Sequence, residues 1–103
     1  MTNAQEKAVA RIKKLAETLH SYHADRYEIK EWKVEENEFF VEVIVEVGMK
    51  DDEGTMASIF CRERAQLFIG KCGGITYPVY KNGRCYTKRF KGYSLLEAVC
   101  DQR

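Results

Sequence analysis

The sequence is poor in the residues that break a chain into parts. Pro78 is the single proline among 103 residues, and serines are few. No Pro-, Gly- or Ser-rich linker divides the chain, no segment repeats, and no tract is of low complexity. One domain spanning 1–103 is therefore expected, long enough to bury a core of its own. Apolar runs are short everywhere. None approaches the roughly 20 residues that a membrane helix needs, so no membrane association is expected. The opening MTNAQEKAVARIKKLAETLH carries charges from its first turn and has no apolar stretch of the signal-peptide kind. It reads as a cytoplasmic protein with reduced thiols. Motifs of catalysis are also missing: there is no H-E-x-x-H, no nucleotide fingerprint and no Ser-His-Asp order. A non-enzymatic protein is the expectation.

Metal-binding signals are weak. The cysteines fall at Cys61, Cys72, Cys85 and Cys100, a C-x10-C-x12-C-x14-C spacing with no C-x-x-C knuckle. His20 and His23 share a helical spacing, but no local carboxylate or cysteine completes a ligand set. Imidazoles at a helix C-terminus are explained by the dipole alone. No cofactor is expected, and a zinc-stabilised interaction domain stays as a minor alternative.

What is present is charge, unevenly placed. The net charge is only +1, yet residues 1–60 hold 8 basic and 13 acidic side chains, and residues 61–103 hold 9 and 3. Such polarity marks an interaction surface, or else two halves that neutralise each other on packing.

The local pattern predicts an α+β fold. Val9, Ile12, Ala16 and Leu19, widened by Ala8 and Leu15, give a helical stripe from Asn3 to about Tyr22, with Asn3–Glu6 or Thr2 as its cap. Tyr27–Val34 is a strand whose alternation breaks: Tyr27 and Ile29 take one phase, Trp32 and Val34 the other. A bulge or an edge position accounts for that. Phe39–Val47 alternates cleanly, with Val41, Val43, Val45 and Val47 inward and Phe40, Glu42, Ile44 and Glu46 outward. Lys50–Gly54 is a turn, and Thr55–Arg62 is a third strand. Ala65–Ile69 is a strand or a helical turn; so short a run does not decide. Gly70–Gly74 lacks the Walker order and leads into a strand, so it reads as a tight turn rather than a phosphate loop. Ser94–Glu97 caps a short C-terminal helix that offers Leu95, Leu96, Val99 and Cys100 to the core. The sum is a helix, an antiparallel sheet of four to five strands ending in a hairpin, and a short helix, in two layers.

The hairpin is the best candidate site. Asn82-Gly83 between β-prone segments specifies a type I′ turn, and Pro78 points to an edge position. Around the turn, Lys81, Arg84, Lys88, Arg89 and Lys91 alternate with Tyr77, Tyr80, Tyr86, Phe90 and Tyr93. Cations that follow a phosphate backbone and rings that stack bases have this composition. Protein hot spots have it too. The expected contact set is Lys71, Tyr77, Tyr80, Lys81, Arg84, Tyr86, Lys88, Arg89 and Lys91.

The C-terminal run FIGKCGGITYPVYKNGRCYTKRFKGYSLLEAVCDQR resembles small proteins carried by bacterial phages and mobile elements. Among such proteins are anti-CRISPR inhibitors, compact domains that bind a nuclease complex and block DNA loading or cleavage. Size, layout and this run carry the resemblance, and it assigns a role to no single residue. It implies a protein partner, a CRISPR nuclease, occluded through the hairpin. Many such inhibitors are strongly acidic DNA mimics, unlike this chain. A small nucleic-acid-binding module using the same hairpin is the alternative.

Overall fold

The computed structural model describes residues 1–18, 27–49 and 63–101. Helix α1 (Asn3–Glu17) precedes five strands: β1 (Tyr27–Glu36), β2 (Phe40–Met49), β3 (Glu63–Gly70), β4 (Ile75–Lys81) and β5 (Arg84–Arg89). Helix α2 (Leu96–Asp101) follows. The strands pair in chain order, β1-β2-β3-β4-β5, and every pairing is antiparallel. The expected strand Thr55–Arg62, the turn Lys50–Gly54, His20, His23 and Cys61 lie outside the described residues. No helix among the described residues is long and apolar enough to cross a membrane.

Period-2 alternation builds the core. Val41, Val43 and Val45 on β2 are fully buried, and they stand opposite Ile69, Leu67 and Ala65 on β3, also fully buried. Ala65–Ile69 is therefore strand. Its ladder with β2 runs from Glu63 to Gly70 and supplies the long-range hydrogen bonds that a helical turn would not need. Ala8, Ile12 and Ala16 of α1 cover this face, and Leu95, Ala98 and Val99 from the α2 region join the same cluster.

Thr2, rather than Asn3, caps α1. Its hydroxyl accepts the Gln5 amide at 3.1 Å, and the Gln5 side chain accepts the Thr2 amide at 2.9 Å. Gln5 then serves twice: its Nε2 donates to the Ile69 carbonyl at 3.3 Å and ties the helix to β3. The helix ends at Glu17, short of the expected Tyr22. There the Thr18 hydroxyl donates to the Lys14 and Leu15 carbonyls.

The broken alternation in β1 is a bulge. Ile29 pairs with Val47, and the next pairing is Glu31 with Glu46, so Lys30 is extra. Trp32 is half-buried against the core, with the Lys13 ammonium 5.8 Å from its ring centroid.

Candidate anion-binding surface on the hairpin and helix α1

Asn82 and Gly83 both take positive φ, +53° and +73°, as a type I′ turn requires. Lys81 and Arg84 close the turn, followed by Tyr80–Cys85, Val79–Tyr86, Pro78–Thr87 and Tyr77–Lys88. Every residue of β5 is exposed. Its partner β4 stays packed through Val79, so only the end of the hairpin, from Tyr80 to Cys85, is exposed on both strands and projects as a ribbon.

Register sorts the expected contact set. Lys81, Arg84, Tyr86 and Lys88 occupy alternate positions and share one face, the one that carries Val79. Tyr80 takes the other face with Cys85 and Thr87, and Arg89 follows in that phase. Tyr80 is 70% exposed and Tyr86 49%, so the ribbon offers a ring on each side. Tyr77 does not belong to the set. It is 2% exposed, and its ring packs edge-on against buried Phe90 at 6.3 Å between centroids. The helix layer reaches the base of the ribbon and absorbs both rings. Lys71 is exposed in the β3–β4 turn, at the far end of β4 from the tip. That turn is as tight as its glycines imply: the Gly73 amide donates to the Gly70 carbonyl at 2.9 Å, with Gly73 at φ +89°.

Pro78 is only locally at an edge. Strand β4 lies between β3 and β5, but its ladder with β3 is Phe68–Thr76 and Ile69–Ile75 alone. Pro78 is past that ladder. In this register it also falls between the hydrogen-bonded pairs of the hairpin, so its missing N–H costs no bond on either side.

At the base of the ribbon the chain meets α1. Arg11, Arg89, Lys91 and Tyr93 surround a cavity of about 410 Å³, walled by Gly73, Gly74, Ile75 and Phe90. A smaller hollow of about 230 Å³ adjoins it and brings in Lys7 and Cys72. Neither Lys7 nor Arg11 is in the expected contact set. Helical spacing shows that they share a face, but nothing local says that this face meets the chain after β5. Tyr93, 87% exposed, stands at the rim.

The opposite sheet face is different. Phe40, Phe68, Thr76 and Thr87 line an apolar hollow of about 420 Å³, with the two phenylalanine rings edge-to-face at 5.1 Å. Beside it, Glu35 stands directly opposite Glu42, and Glu31 opposite Glu46. Lys33 lies between them in the ladder, bonded to Glu35 at 2.9 Å.

Cys72 and Cys85 are free and exposed. Among the described residues, no three His, Cys, Asp or Glu side chains group as metal ligands. No family model, curated protein or solved structure matches the sequence.

Proposed function

We propose that the protein is a non-enzymatic binding module that holds single-stranded nucleic acid along the β4–β5 ribbon. The observation that carries this reading is the exposure of the hairpin end and of all of β5, with Tyr80 and Tyr86 open on opposite sides among Lys81, Arg84 and Lys88. Cations spaced along a projecting ribbon follow phosphates, and open rings stack bases without regard to sequence. Fluorescence anisotropy of labelled DNA and RNA single strands tests it. Binding should be measurable at low salt and weaken steeply toward physiological salt. No binding at low salt ends the reading.

A second reading takes the protein as an inhibitor of a host defence nuclease, encoded by a phage or mobile element and occluding DNA loading or cleavage. Its support is the large exposed side chains, among them Phe39 at 76% and Tyr80 at 70%, which suit a protein partner. Its test is complex formation with a purified CRISPR nuclease. An unchanged cleavage rate with no complex removes that nuclease as the partner.

A further inference from the structure

The cavity at the base of the ribbon is built from like charges. Arg11 comes from α1, and Arg89 and Lys91 from the end of β5 and the segment after it. None of the three takes part in an ion pair among the described residues. Among the described residues, no carboxylate lines the cavity. Glu97, the acid tied to this segment, accepts the Lys91 backbone amide at 2.8 Å and fixes the main chain there. Gathering like charges around a concave surface is unfavourable, and the positive potential so created draws an anion.

The arginine is also held in place. Its Nη2 donates to the Gly92 carbonyl at 3.2 Å. Gly92 sits at φ +87°, and a Cβ there would come within 2.1 Å of that nitrogen. A residue without a side chain is thus what lets the guanidinium lie against the backbone. One of its five N–H groups is used, and the remaining fork is free to take two oxygens of a phosphate. Gly73 and Gly74 keep the opposite wall bare.

Size selects the ligand further. About 410 Å³ is more than one phosphate fills, and Tyr93 at the rim gives a flat surface for a base. We infer that the cleft formed by Arg11, Arg89 and Lys91 is a binding site for the phosphate of a nucleotide, with Tyr93 against the base. The nucleotide is either free or the phosphorylated end of a strand. The site stands apart from the ribbon tip and does not depend on what the tip holds.

Isothermal titration calorimetry on the full chain tests it, with inorganic phosphate, AMP and a 5′-phosphorylated hexathymidylate set against its 5′-hydroxyl form. Saturable one-to-one binding is expected, tighter for AMP than for inorganic phosphate. Loss of a charged hydrogen bond in Arg11→Gln should weaken AMP about tenfold or more. The tip variant Lys81→Gln/Arg84→Gln should leave AMP affinity unchanged. Arg11 is exposed, so the variant should melt as the wild type does, and circular dichroism checks that. If the phosphorylated strand outcompetes AMP and its hydroxyl form does not, the source is a strand end. If AMP wins, it is a free nucleotide. No saturable binding of any phosphate overturns the site. So does AMP binding that survives Arg11→Gln, or that is lost in the tip variant instead.

Discussion

Arg11 and Gly92 meet across 81 residues of chain, the guanidinium donating to the glycine carbonyl. Gly83 provides the comparison, because it too has positive φ, but a methyl added there would meet nothing within 4 Å. Alanine at either position should cost about 1–2 kcal/mol through the left-handed backbone alone. The extra clash at residue 92 is with the far end of a flexible side chain, which can swing away. Gly92→Ala and Gly83→Ala should therefore shift the urea midpoint alike, while only Gly92→Ala removes AMP binding.

Two tyrosines three residues apart should behave as opposites. Tyr77→Ala empties a core site beneath Phe90 and should cost about 3–5 kcal/mol in urea unfolding. Tyr80→Ala alters a ring that is 70% exposed and should stay within about 0.5 kcal/mol. If Tyr80 stacks a base, the same change lowers single-strand affinity by about 1–3 kcal/mol. An unaltered affinity would take Tyr80 out of the contact set.

Arg84→Glu places an acid at the tip, opposite Lys81. Under the nucleic-acid reading it should weaken all sequences alike and lower the salt slope by about 1 in anisotropy titrations. A sequence-selective loss would mean that the tip reads bases rather than phosphates.

These contrasts mark what could be read from the sequence. The architecture was legible because its signals are local: the Val41–Val47 alternation, the Asn82-Gly83 turn and the stripe of Ala8, Ile12 and Ala16. The type of β3 was not, since so short a run as Ala65–Ile69 fits either element and only the β2 ladder decides. Tyr77 shows the limit for the site. Alternation places it in phase with Lys81 and Val79, but how far along the ribbon the helix layer extends is a tertiary fact. The Arg11 cleft is more hidden still, because its cations come from segments about 80 residues apart and no spacing rule connects them.

Lys33 should impose an alkaline limit on the open sheet face. Its hydrogen bond to Glu35, then the charge of Glu35, raises its pKa above the ordinary 10.5; burial opposes this weakly, and Glu31 and Glu42 add to it. A raised folded value means stability that is fully present below the unfolded pKa and is lost as pH rises through the folded one. Lys33→Met should therefore be less stable than the wild type at pH 7, because the facing carboxylates Glu35 and Glu42 then lose the ammonium beside them. The gap should be small, as the group is exposed, should shrink with salt, and should begin to narrow above about pH 10.5 and close only past the raised folded value. Urea unfolding at pH 7 and in steps upward from about pH 10.5 measures it, and a gap that does not narrow over those steps would deny the ion pair its role.

The bulge in β1 makes a sharper test. Ile29 and Trp32 are three residues apart, yet they stand opposite Val47 and Val45, which are two apart. Lys30 absorbs the difference, and its own contact is an exposed pair with Glu28 at 2.9 Å, worth little. Deleting Lys30 should leave Ile29, Trp32 and Val34 on one face in strict alternation, with every pairing to β2 kept. Stability should then change by about 1 kcal/mol or less. Deleting Lys33 instead would make Trp32 and Val34 neighbours, so one of them must turn to solvent along with everything beyond it. That variant should lose several times more, because burial of a large side chain is worth about 1.5–3 kcal/mol. Equal losses in the two deletions would mean that the bulge is needed for itself, and that the twist it gives the edge strand matters more than the phase it corrects.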